Sequence, residues 1–249
     1  MTMRRRILLL MRITATLVLI SVESLAMLLV AIITLFQLRS YYSESIASPL
    51  GSLVLNLWGI RIRMHNISPY PKGQVIYISN HTSTIDLFAL LAMGLPNTRF
   101  FLSGYLRLLL PLGLIGYLIG IFWTVPQAYP EQRRSIFRNA ETVLRRSGES
   151  VYLSPEGERI TTGEIGLFNK GAFHLAISLK APIVPIFIAI PPSSDPGRGL
   201  NAAAGVIDIY MHEAIPTDEW SIEDVVAHKE EVRLRFIEWN RNYRIGKNT

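Results

Sequence analysis

The chain has 249 residues, a net charge of +6, a hydrophobic fraction of 49% and a charged fraction of 18%, against about 25% charged in an ordinary soluble domain. That balance points to a protein that touches lipid, and the length suits one domain of about 200 residues with an appended segment. The absence of cysteine removes disulfides, thiolate metal sites and a cysteine nucleophile, and arginines that adjoin long apolar runs do not form a nucleic-acid-binding face, so no nucleic-acid partner is expected.

Arg4, Arg5, Arg6 and Arg12 precede an apolar stretch from Ile13 to Leu38, broken only by Glu23 and a few hydroxyl residues. At 1.5 Å per residue this reaches about 39 Å, enough to cross the hydrocarbon core with some tilt. With no Gly or Pro inside it, the stretch predicts one continuous helix, an uncleaved membrane anchor over residues 1–40. A secretory signal with a cleavage site at Ser24-Leu25-Ala26 is the rival, but the apolar run continues past that site. Glu23 is expected to face protein, to be protonated, or to mark a helix lying shallower than a full span. The arginine cluster places the N-terminus on the cytoplasmic side. An embedded helix keeps the remainder, and with it any active site, on the cytoplasmic face of the membrane; a full span puts it on the other.

Residues 41–249 are expected to form the second unit. Residues 40–60, with Pro49, Leu50, Leu53, Val54 and Leu57, read as an amphipathic helix ending in Trp58, suited to a membrane interface or to packing on a core. Strands are predicted over Arg61 to Asn66 and Val75 to Ser79, separated by turn signals at Pro69, Pro71 and Gly73. The polar loop Asn80-His81-Thr82-Ser83-Thr84-Ile85-Asp86 follows, then a helix from Leu87 to Leu95 and a strand from Arg99 to Ser103. Tyr105 to Val125 is long enough for a second span, but Pro111, Gly113, Gly116 and Gly120 favour a short lipid-facing helix over Leu108 to Ile115 and a buried strand from Ile119 to Val125. Pro130 opens a helix to Ser147 whose arginine face reads as solvated surface or as a contact for anionic headgroups. Val151 to Leu153 is a strand, Ser154 to Arg159 a loop, Phe168 to Leu179 a helix and Ile183 to Ile190 a strand. An exposed loop over Pro191 to Gly199, a strand over Val206 to Met211 and an amphipathic helix from Ile222 to Tyr243 close the chain. The alternation predicts an α/β domain with a largely parallel sheet and flanking helices.

In such a sheet the loops after successive strands open on one edge, which brings Asn80 to Asp86 beside Ser154 to Arg159. His81 can take a proton near neutral pH, and Asp86 can hold its ring in one tautomer and stabilise the imidazolium. The same loop also reads as a helix cap with an incidental histidine. The second loop offers the carboxylate of Glu156, a flexible Gly157 and an Arg159 able to grip an oxyanion, or else a plain turn with a solvated arginine.

Taken in order, these residues resemble the glycerolipid acyltransferases, nearest to the bacterial 1-acylglycerol-3-phosphate acyltransferases, over about residues 60–190. His81 and Asp86 match an H-x-x-x-x-D motif, and Ser154 to Arg159 match a P-E-G-x-R loop. Phe168 to Phe173 and Ala181-Pro182-Ile183-Val184-Pro185-Ile186 match two further segments. The resemblance implies the glycerolipid acyltransferase fold. It also implies transfer of an acyl group from acyl-CoA or acyl carrier protein to the hydroxyl of a lysolipid, with no metal, no further cofactor and no acyl-enzyme. His81 would be the base and Asp86 its orienting acid, while Glu156, Gly157, Arg159 and Lys170 would bind substrate. The chain departs from the family pattern where Val125 and Gly104 stand in place of basic residues expected to contact a phosphate monoester. This points to a different lysolipid acceptor held by Arg159, unless Arg99, Arg107 or Lys170 compensates. A non-catalytic, membrane-anchored lipid-binding protein and a hydrolase are the competing classes. The first has no use for a base and its orienting acid, and the second lacks a Gly-x-Ser-x-Gly elbow.

Overall fold

Alternate side chains of the short strand Ile76-Tyr77-Ile78 enter two different hydrophobic layers, one on each face of a sheet, in the computed structural model, which describes residues 3–66 and 70–245. The strands are β1 (Ile60–Asn66), β2 (Ile76–Ser79), β3 (Thr98–Ser103), β4 (Phe122–Thr124), β5 (Ser150–Leu153), β6 (Ile183–Ala189) and β7 (Gly205–Met211). They form one seven-stranded sheet in the order β1-β7-β6-β2-β5-β3-β4. Every neighbouring pair is parallel except β6 and β7. The largely parallel sheet is therefore as expected, with one antiparallel step where residues 190–204 return the chain as a long hairpin.

One face carries α1 (Met3–Ile33), α2 (Arg39–Tyr41), α3 (Ser48–Leu57), α4 (Asp86–Ala92) and α5 (Leu110–Ile119). The other carries α6 (Pro130–Ser147), α7 (Gly171–Leu179) and α8 (Val225–Ile245). The first layer joins Tyr77, Phe100, Tyr152, Val184 and Ile186 of the sheet to Ile20 and Met27 of α1 and Leu50 and Val54 of α3. The second joins Ile76, Ile78, Val151 and Phe187 to Leu144, Phe173 and Phe236.

Several boundaries differ from expectation. The first helix starts at Met3, so it includes the arginines, and it ends at Ile33 rather than Leu38. Leu35 and Phe36 turn it with positive φ of 51° and 60°, and the Phe36 N–H closes on the Ala31 carbonyl at 2.7 Å. Met27 and Ala31 of this helix lie in the same core as α3 and the sheet, so residues 1–40 do not form a separate layer. By length and composition α1 is the one described helix able to cross a membrane. Residues 39–57 run on through a π-helical turn at Tyr42–Ala47. Trp58 is buried, donating its indole N–H to Thr16 of α1 at 2.9 Å, so it packs on the core rather than pointing to an interface. The strand expected from Ile119 begins later because α5 keeps Ile119 and ends at Gly120 in a left-handed conformation. The helix expected from Phe168 begins at Gly171, since Asn169 bonds the neighbouring loop and Phe168 packs on Phe236 in the core, and the last helix begins at Val225. The expected turn at Pro69 lies outside the described residues, as do Met1 and the last four residues.

Exposed apolar residues gather on the first face: Leu108 at 72% and Leu110 at 82% exposure, with Tyr105, Tyr117 and the outer side of α1. They support the lipid-facing reading of this segment. Gly51 of α3 meets the backbone of α4 so closely that a Cβ there would lie 2.6 Å from the Ala92 amide nitrogen and 2.7 Å from the Phe88 carbonyl oxygen. Backbone cannot rotate aside as a side chain can. Gly51→Ala is therefore expected to cost about 1–3 kcal/mol, read as a lower thermal midpoint of the detergent-solubilised protein. Activity should fall with it, because α4 carries Asp86 at its first position.

Candidate active site

Where β2 ends, its ladder with β6 is continued by a side chain. Asn80 donates its amide N–H to the Ile188 carbonyl at 2.9 Å and accepts the Ile188 N–H at 2.8 Å. The amide stands in for another strand residue, and the Asn80 backbone is free to turn away from the sheet. His81 is then held by its own main chain. Its N–H donates to Glu156 Oε2 at 2.6 Å and its carbonyl accepts the Ile160 N–H at 2.8 Å. β2 and β5 are adjacent and parallel, which is why the loops after them meet.

The His81 ring donates from Nδ1 to Asp86 Oδ2 at 2.8 Å. The same oxygen accepts the N–H groups of Thr82 and Ser83, each at 2.9 Å. Asp86 is 1% exposed while the His81 side chain is 30% exposed. A buried acceptor with three donors directed at one oxygen requires the proton on Nδ1, so the open side of the ring presents the Nε2 lone pair. The bland reading of this loop, a helix cap with a stray histidine, does not describe this arrangement.

Glu156 is 2% exposed. Its second oxygen accepts the Gly166 N–H at 2.8 Å, so both oxygens bind backbone. Burial pushes its carboxyl up to about 7, partly opposed by those two hydrogen bonds. The residue expected to bind substrate is placed behind His81, where it holds two loops together. Gly157 follows with φ of 72°. A side chain there would meet Asn169 Nδ2 at 2.7 Å, and Asn169 pins the loop by donating to the Pro155 and Glu156 carbonyls at 3.1 and 2.9 Å.

Arg159 reaches across to Thr84 Oγ1 at 2.5 Å, and Thr84 is tied by its N–H and hydroxyl to the Gly197 carbonyl at 3.0 and 3.1 Å. The structure thus brings His81, Asp86, Glu156, Gly157 and Arg159 to one edge. Lys170 sits on the far side of Asn169, in a groove between α6 and α7. Asn80 and Asn169 were not singled out by residue type. The pairing of Asn80 with a strand end was the available signal.

The departures at residues 104 and 125 have local causes. A Cβ on Gly104 would lie 2.8 Å from the Thr124 carbonyl oxygen, so β4 excludes a lysine there without moving. The Val125 carbonyl accepts Arg133 NH1 at 3.0 Å. Of the residues expected to compensate, Arg99 is buried at the start of β3 in an ion pair with Glu149 at 2.6 Å, on the edge opposite His81. Arg107 is exposed on the 3₁₀ turn Gly104–Leu108. Beside Asp86, a narrow apolar cavity opens between α4, β3, β4 and α5, lined by Leu87, Leu91, Phe100, Leu102, Ile115 and Trp123 among others. Among the described residues no group of three or more His, Asp or Glu is placed to hold a metal ion.

A family model described as Acyltransferase matches residues 61–189, more than half of the chain. The chain belongs to the acyltransferase family. The 1-acyl-sn-glycerol-3-phosphate acyltransferase beta of Homo sapiens is 32% identical over 159 residues, 61% of this chain and 54% of that protein. The alpha form from the same organism is 28% identical over 181 residues, 71% of this chain and 62% of that protein. These matches span between about half and two thirds of the length of those relatives. The solved structure of the LPA acyltransferase PlsC from Thermotoga maritima superposes with a TM-score of 0.78 at 19% identity, covering 96% of both chains. At that identity the superposition establishes the fold.

The acyltransferase-family site makes Glu156 a sensitive point. A carboxyl raised from 4.5 to about 7 on folding holds a proton that the unfolded chain releases. Its contribution to stability is therefore present below about pH 4.5 and is lost as pH rises through about 7. Thermal midpoints measured between pH 4.5 and 7.5 should decline for the native chain and decline less for Glu156→Gln. At neutral pH the variant should also lose activity by about tenfold or more, because an amide cannot accept from both His81 and Gly166.

Proposed function

We propose that this protein is an O-acyltransferase that moves a fatty acyl group from an acyl thioester, acyl-CoA or acyl carrier protein, to the hydroxyl of a lysolipid. The acceptor is 1-acylglycerol-3-phosphate or a related lysophospholipid, and the work is done at the cytoplasmic face of a membrane. The observation that carries this reading is the His81–Asp86 pair, with Nε2 free and an apolar cavity beginning at the next residue, Leu87.

The acyl chain lies toward the apolar face that begins at Leu87, leaving its thioester carbonyl beside His81. Nε2 takes the proton of the acceptor hydroxyl as the oxygen attacks the carbonyl carbon. Asp86 stabilises the imidazolium through the Nδ1 hydrogen bond. An O–C bond forms, the C–S bond of the tetrahedral intermediate breaks, and the proton returns from Nε2 to the leaving sulfur, so His81 ends as it began. Such base catalysis contributes about 10²–10⁴-fold, with positioning and charge stabilisation supplying the rest. Arg159, drawn to the mouth through Thr84, is suited to the anionic part of a substrate. The exposed apolar surface of α1 and α5 supports a membrane on that side, from which a lysolipid arrives and to which a two-tailed product returns.

The test uses membranes containing the full chain, a labelled acyl thioester and a panel of lysolipids. His81→Ala is expected to abolish product. Asp86→Asn should keep the fold and lower turnover by about 10²–10⁴-fold. Product formation that is indifferent to both variants would overturn the reading.

A further inference from the structure

A concavity lies away from His81, on the other face of the sheet. It is a groove of about 800 Å³ between α6 and α7, within the range of small-molecule sites. Arg133, Arg134, Arg138 and Lys170 line it, with Phe137 and His174. Its one acidic lining residue, Glu141, is paired with Arg145 at 3.0 Å. Arg134 is paired with Glu131 at 2.7 Å, which leaves Arg133, Arg138 and Lys170 as cations facing little negative charge, a set suited to a multiply charged anion.

The groove begins at the catalytic edge. Gln127 Nε2 and Arg133 NH2 lie 3.2 and 3.8 Å from where a Cβ of Gly157 would be, next in chain to Glu156. Arg133 is fixed there by its bond to the Val125 carbonyl, and burial lowers its pKa, so its charge is poorly satisfied by solvent. Both helices also start at this edge and direct their positive ends toward it. From there the groove runs back along α7 as far as Ser178.

We infer that this groove binds the phosphate-bearing nucleotide end of the coenzyme A of an acyl-CoA donor. The inference rests on the acyl-transfer reading above and deepens it. The groove is on the face opposite α1 and α5, so it meets water while the apolar helices meet lipid. A water-soluble donor approaches from that side, and its thioester arm crosses the edge beside Gly157 to bring the acyl chain to the apolar helices on the other face. The exposed imidazole of His174 offers a stacking surface to an adenine. A concave site of this volume suits a nucleotide better than the broad surface of a carrier protein.

The experiment compares the full native chain in detergent with an Arg134→Ala/Arg138→Ala variant, two exposed arginines of the groove. Equilibrium binding of labelled free coenzyme A should weaken about tenfold in the variant. 3′-Dephospho-coenzyme A should bind the native chain more weakly and show less further loss in the variant. In turnover, KM for acyl-CoA should rise by a similar factor while KM for the lysolipid is unmoved. A rise in the lysolipid KM alone would assign the groove to the acceptor and overturn the inference. A rise for acyl carrier protein donors alone, or no change in any of these, would overturn it equally. His81-independent product together with arginine-dependent coenzyme A binding would sink the acyl-transfer reading and leave the groove assignment standing.

Discussion

The buried carboxylate of Glu156 is the constraint on which the site depends. It accepts the N–H of His81 from one loop and the N–H of Gly166 from another. Neither donor has water as a ready substitute in that interior, so loss of the carboxylate leaves two backbone groups unpaired. Asn80 on one side and Asn169 on the other do similar work, each using a side-chain amide to satisfy backbone that has left regular structure. His81 is therefore aimed by its main chain before Asp86 orients the ring. An imidazole fixed at both its main chain and its Nδ1 is preorganised.

The parallel sheet separates two chemistries and joins them at one edge. On one face, apolar helices bury Ile20, Met27 and Leu50 against the strands and leave Leu108 and Leu110 open. On the other, α6 covers Ala140 and Leu144 and turns its arginines outward. His81 stands at the end of the central strand between these faces. An exposed apolar surface and a cationic groove thus flank it on opposite faces without overlapping.

Most of the fold was legible because its signals are local. Each of the seven strands was expected within one to three residues, because β-branched and aromatic runs bounded by Gly and Pro specify strands wherever they lie. Pro130 and Gly148 marked α6 in the same way. The misplaced boundaries share a different cause. Leu35 and Phe36 turn with positive φ although neither residue type favours it, and the turn is closed by a bond to Ala31 and by contact between Thr34 and Tyr42. Trp58 read equally well as an interface residue or a core residue, and its burial follows from Thr16, forty-two positions away.

By itself the sequence determined the α/β architecture, the apolar first helix and the His81, Asp86 and Glu156 to Arg159 constellation, because pattern and spacing within short segments carry that information. Only the tertiary structure decided that Glu156 lies behind the histidine rather than in front of it, and that Arg133 is anchored at Val125. It likewise placed Lys170 in a groove beyond Asn169. These facts depend on which strands become neighbours and on how a buried polar group is satisfied, and both are settled by contacts between residues far apart in the chain.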